Sequence, residues 1–358
     1  MKPKFIMSAG TGWSATTPLW YTLQLDNKYL HTGYRKEGSY LKELSMSPQE
    51  RLRSNLQARR NQGISAIQKT REMAKKVLKE RDEYQTKNIK YKIDSPTDPD
   101  SLTSYFYRPK EIGSLVPSWE YQGSLAAVRE DLYLTQEDID EFISLPQSLD
   151  KYIAYYKKVW ETLQEHNCPH HAVADFSNSN ASLSRSFIES IIPKLQEHFD
   201  VKVLMIVRDP IRRLWSESGA FLKGTQEDHE RAFLERVASG RYWDYMKIIE
   251  SYEGLVPMHV VIMEQLWEGY GQDEEKYKLS KFLNYDIDEV HINVYSPDYG
   301  PNAPQYPGLP DQWHSDKYYL REELYNQVRP LFKVYEQWVD KYGSLPLYWG
   351  QPYNYAKT

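Results

Sequence analysis

The stretch Phe5-Ile6-Met7-Ser8, Gly10-Thr11-Gly12-Trp13-Ser14-Ala15-Thr16-Thr17, Leu19-Trp20-Tyr21-Thr22-Leu23 carries an apolar run into a glycine-bearing loop and on into helically spaced apolar residues. It reads as a strand, a loop and a helix N-terminus. Backbone N–H groups at a helix start lack intrahelical partners, and the helix dipole adds partial positive charge, so this layout suits an anion such as phosphate. Ser14, Thr16 and Thr17 add hydroxyl donors. The ATP/GTP-type loop, G-x-x-x-x-G-K-[ST], would place a lysine where Thr16 stands. Its absence points to a phosphate-bearing ligand that is not hydrolysed at a γ-phosphate.

The same strand–helix rhythm returns from residue 171. Ala172-Val173-Ala174-Asp175-Phe176 is a short strand ending in the polar loop Ser177-Asn178-Ser179-Asn180, and Phe187 to Phe199 an amphipathic helix interrupted by Pro193. Val201 to Val207 is nearly all apolar, as a central parallel strand buried on both faces should be. His259-Val260-Val261-Ile262-Met263 is another such strand, followed by Glu264. Strands alternating with helices imply an α/β fold with a central, mainly parallel sheet flanked by helices on both faces.

Directly after the strongest strand stands Arg208-Asp209-Pro210-Ile211-Arg212-Arg213-Leu214-Trp215-Ser216. Ligands of open α/β sheets gather at the carboxyl ends of strands, so Arg208 is placed to meet one. Pro210 suits a first helical turn, Arg213 and Ser216 share a helix face, and an arginine fork matches phosphate oxygens. Asp175, at another strand end, can orient a ligand or cap the next helix.

Between these halves, residues 45–165 read as a helical and loop-rich insertion into a core of 1–44 and 166–358. Ser47-Pro48-Gln49-Glu50 is a helix start signal, residues 91–130 are loop-like with four prolines, and Leu132 to Trp160 is helical from Thr135. His166-Asn167-Cys168-Pro169-His170-His171 holds metal-ligand residue types, but its spacing reads as a connecting loop.

The two anion motifs resemble those of sulfotransferases that use 3′-phosphoadenosine-5′-phosphosulfate (PAPS), nearer the carbohydrate-type members. In that family a loop such as K-x-G-T-T holds the 5′-phosphosulfate, and Trp13-Ser14-Ala15-Thr16-Thr17-Pro18-Leu19 matches it in place and length. A second motif, R-[DE]-P-x-x-R-x-x-S-x-Y, binds the 3′-phosphate through its first Arg and its Ser; residues 208–218 match it, with Ser218 in place of the terminal aromatic. Glu264-Gln265-Leu266 and the tail from Leu331 to Trp349 resemble further family segments. The resemblance covers residues 4–44 and about 170–350, and implies a P-loop-like sulfotransferase fold.

It also implies a site. Gly12, Trp13, Ser14, Ala15, Thr16, Thr17, Arg208, Arg213 and Ser216 would hold the cofactor, leaving adenosine 3′,5′-bisphosphate as product, with no metal. Lys36-Glu37 resembles the family's Lys-Glu pair, whose glutamate is the proposed base; His31 is the alternative, by analogy with the cytosolic small-molecule branch. Trp13 stands where the family usually has Lys or Arg, and Lys36 would supply the missing cation. The expected acceptor is a hydroxyl on a glycan or small metabolite. Two other readings stay open: a non-catalytic nucleotide- or glycan-binding relative, and a P-loop kinase or NTPase.

Bulk properties set the bounds. The 358 residues are long enough for a substantial core. A net charge of -5 offers no general attraction for nucleic acid. Cys168 is the single cysteine, so no intrachain disulfide forms. Neither a signal peptide nor a membrane-length apolar run is read, so a cytoplasmic protein without membrane partners is expected. Thirty tyrosines and ten tryptophans are read mainly as core and contact residues.

Overall fold

The computed structural model describes residues 2–12, 14–33, 38–54, 145–165, 169–219, 226–240, 242–267, 272–287, 326–346 and 349. Five strands form one sheet: β1 (Lys4–Ser8), β2 (Leu30–His31), β3 (Ala172–Asp175), β4 (Asp200–Val207) and β5 (Met258–Ile262), in the order β2-β3-β1-β4-β5. Every pairing is parallel, with Ile6 opposite both Ala174 and Lys202.

Strand alternation divides the core in two. Phe5, Met7, Val173, Val203, Met205 and Val207 face one side. On that side lie α4 (Leu149–Glu165), α5 (Arg185–His198), α6 (Pro210–Gly219), α7 (Gln226–Ala238), α8 (Tyr245–Tyr252) and α11 (Phe332–Tyr342). Ile6, Ala172, Ala174, Leu204 and Ile206 face the other, against α1 (Thr16–Tyr21), α9 (Met263–Trp267) and α10 (Gln272–Leu283). Successive side chains of a strand point to opposite faces, so a sheet covered on both sides needs apolar residues at every position, as β4 supplies. The expected α/β architecture with a parallel sheet and helices on both faces is therefore present.

Local signals held in most places. Ser47 and Glu50 form the reciprocal capping box that opens α3 (Pro48–Arg53), which follows α2 (Tyr40–Leu44). Three features differ from expectation. Pro193 does not interrupt α5; it and Glu189, whose carbonyl loses its helical partner, both face solvent, where water can serve that carbonyl. The final strand ends at Ile262, and Met263 already begins α9. α4 falls in the span read as insertion, yet Tyr152 and Tyr156 pack edge-on against Phe5 of the central strand. Residues 55–144 of that span lie outside the described residues.

Candidate functional site at the carboxyl ends of β1 and β4

β1 and β4 are neighbours, but the chain leaves them toward opposite faces. α1 contributes Leu19 and Trp20 to one core, while α6 contributes Ile211 and Leu214 to the other. Where neighbouring connections diverge in this way, a crevice opens beyond the carboxyl ends, the usual ligand position in such sheets. Both sequence motifs flank this crevice.

The loop after β1 is tightly specified. Ala9 N donates to Leu204 O at 2.8 Å, holding the loop against β4 for one residue beyond the strand, and Gly10 N donates to Ser8 Oγ. A side chain at Gly10 would meet Ile206 Cγ2 at 2.6 Å and Thr16 Cγ2 at 2.7 Å, so only glycine allows this approach. Thr11 and Ser14 hydroxyls pair at 2.6 Å, both fully buried. Ala15 has φ 61° and ψ 31°, a left-handed conformation that a non-glycine residue holds only where its surroundings impose it. It turns the chain into α1, which opens with Thr16 and the backbone of Thr17. Trp13, Lys36, Glu37 and the side chain of Thr17 lie outside the described residues.

The second motif lies across the crevice. Arg208 Nη1 donates to Ser216 Oγ at 2.8 Å, joining the strand end to the helix face. Arg208 Nε is buried with no hydrogen-bond partner, an orphan donor whose desolvation an acceptor would relieve. Arg213, 2% exposed, has a different task. Its Nε donates to Gly12 O at 2.9 Å and its Nη2 to Glu217 at 2.5 Å, while Glu217 also pairs with Arg236 at 3.0 Å. Burial lowers the Arg213 pKa, and Glu217 works against that shift. Arg213 therefore ties the two motifs together.

His31 is not part of this group. In register it stands opposite Val173, the residue that also faces Phe5, and so lies below the strand ends. The ring is fully buried, Nδ1 accepts from Gly33 N at 2.9 Å, and Nε2 has no hydrogen-bond partner. Desolvation first, then His170 edge-on beside it, hold its pKa well below the usual value, so the ring is neutral.

Asp175 is the N-cap neither of the 3-10 turn Asn178–Ser182, where Ser177 holds that position, nor of α5, which Ser184 caps. Instead it accepts from Tyr152 OH at 2.8 Å and from the backbone and side chain of Ser177. Burial raises its pKa, and those donors oppose the rise. Ser177 Oγ accepts in turn from Gly38 N and Ser39 N, each at 3.0 Å, fixing the chain immediately after Lys36-Glu37. Asn178, in the same polar loop, approaches Gly12: its Nδ2 lies 3.9 Å from where a Gly12 Cβ would stand. Tyr152 and Ser177 drew no functional reading from the sequence, since their partners are remote in the chain or buried within a polar run.

Comparisons with protein-family models, curated proteins and solved structures find no match to this chain. Among the described residues no helix is long and apolar enough to cross a membrane, and no group of three or more His, Cys, Asp or Glu is placed to hold a metal ion.

Proposed function

We propose that this protein is a sulfotransferase that binds PAPS and passes its sulfuryl group to a hydroxyl of a glycan or small metabolite. The observation that carries the reading is Arg208, braced by Ser216 with its Nε–H buried and unpaired among the described residues, just before the helix that Arg213 ties to the glycine loop. The orphan donor fits an oxyanion ligand. The parallel sheet and the loop after its central strand are compatible with a P-loop-like fold.

When bound, the cofactor supplies an activated sulfuryl group; the chain supplies position and charge. Loop N–H groups, with Thr16 and Thr17, hold the 5′-phosphosulfate; Ser14, whose N–H and hydroxyl both pair with Thr11 in the interior, shapes the loop instead. Arg208 and Ser216 hold the 3′-phosphate, while Arg213 keeps loop and helix in register. Glu37 takes the proton of the acceptor hydroxyl, and Lys36 offsets charge on the leaving oxygen. His31 is a poorer base than Glu37 because its ring is enclosed below the crevice. A binding protein without turnover is the second reading, favoured by Trp13 in place of the loop cation.

Calorimetric titration with adenosine 3′,5′-bisphosphate, AMP and ATP tests the reading. The bisphosphate should bind more tightly than AMP, and Arg208→Ala should erase about ten- to a hundred-fold of that advantage, the worth of a charge-assisted contact. No preference for the bisphosphate, or an Arg208→Ala protein that binds it as wild type does, refutes the cofactor assignment. In a turnover assay Glu37→Gln should lose about 10²–10⁴ in rate while His31→Ala keeps most of it. The reverse pattern would make His31 the base.

A further inference from the structure

The peptide group between Arg208 and Asp209 is gripped at both ends. Its carbonyl, Arg208 O, accepts from Tyr245 OH at 2.7 Å, and its N–H, on Asp209, donates to Glu264 Oε1 at 2.8 Å. The other carboxylate oxygen of Glu264 accepts from Trp349 Nε1 at 2.9 Å. Trp349 lies among the rings of Tyr245, Tyr335 and Trp338, and Tyr335 OH donates to Asp209 Oδ2 at 2.9 Å. Glu264 and Tyr245 are both almost wholly buried. Two segments remote in sequence thus grip one peptide plane, with the segment of Trp349 behind Glu264, and that plane restrains the direction in which the Arg208 side chain leaves the backbone.

A buried carboxylate is costly unless each oxygen is satisfied; here each accepts an N–H, so Glu264 fixes the turn that carries Arg208. Resting on the phosphate-site reading above, we propose that Tyr245 and Glu264 are positioning residues that aim Arg208 at the 3′-phosphate. The groups facing Glu264 are Asp209 and Arg208 from the turn after β4, the Trp349 indole from the C-terminal segment and the Tyr245 hydroxyl from α8. Behind them, Tyr335 of α11 holds Asp209, and Arg213 of α6 faces Tyr245. Burial, then Asp209, push the Glu264 carboxyl up to about 7, against the pull of Arg208.

The test compares wild type, Tyr245→Phe, Glu264→Gln and Arg208→Ala by calorimetry, each with adenosine 3′,5′-bisphosphate and with AMP. Tyr245→Phe removes one hydroxyl and keeps the ring. It should weaken the bisphosphate about three- to ten-fold, the range of one hydrogen bond, and leave AMP unchanged. Glu264→Gln should show the same selective loss. If Glu264→Gln fails to fold, Tyr245→Phe still decides the positioning role. The proposal is overturned if folded Tyr245→Phe keeps the wild-type preference for the bisphosphate, or if bisphosphate and AMP weaken equally. Failure of the underlying reading has its own signature: wild type and Arg208→Ala then bind bisphosphate and AMP alike.

Discussion

Arg213→Met should lower stability by about 3 kcal/mol, the scale seen when one partner of a buried ion pair is removed, and should weaken binding of adenosine 3′,5′-bisphosphate. Methionine keeps the apolar stem but leaves Gly12 O and one face of Glu217 without their donor. Glu217 retains Arg236, so part of its charge stays compensated. Arg213→Met/Glu217→Gln should therefore recover some of the stability yet none of the tie to Gly12, and the bisphosphate should still bind weakly. Urea unfolding and calorimetry on the single and double variants separate the two effects. A single variant within about 0.5 kcal/mol of wild type, the scatter of an ordinary surface substitution, would show that the Arg213 bridge contributes nothing to the fold.

The second large effect is expected at Gly10. Its approach to Ile206 leaves no room for a methyl group, and Ile206 sits in the closed core behind the sheet, so neither side can yield freely. Gly10→Ala should cost about 1–3 kcal/mol, typical of overpacking, and push the loop and Thr16 away from β4. The bisphosphate should then bind more weakly. Ile206→Ala opens space at the contact. Adding Gly10→Ala to Ile206→Ala should therefore cost less than adding it to wild type, a coupling that a double-mutant cycle reads directly. Strict additivity would mean that the close approach is not what makes glycine necessary.

Both predictions concern contacts between motifs that the sequence shows separately. Strand β4 was legible because seven successive residues with one polar exception can only be a doubly buried strand or a buried helix, and the Asp-Pro that follows marks a helix start. The Ser47 capping box was legible because both partners lie within one turn. The family resemblance, not any local pattern, named Arg208 and Ser216 together, and in the structure the two side chains are hydrogen-bonded. Two-residue β2, by contrast, carries no period to detect. Its place beyond β3 follows from Gln24 accepting from Thr32 N and from the parallel ladder with β3, neither of which any local pattern encodes.

What the sequence determined by itself, then, is the set of local units: which runs become strands, where helices start, and which residues at strand ends could meet an anion. These depend on periodicity, caps and breakers acting over a few residues. Tertiary structure alone decided how those units share work. It moved His31 below the crevice, docked α4 onto the central strand, and made Arg213 a bridge to Gly12. It also closed Tyr245, Glu264 and Trp349 around one peptide group. Each of those outcomes rests on pairing buried polar groups from distant segments. A buried donor or acceptor takes whichever partner the finished packing brings within reach, and that partner has no fixed distance along the chain.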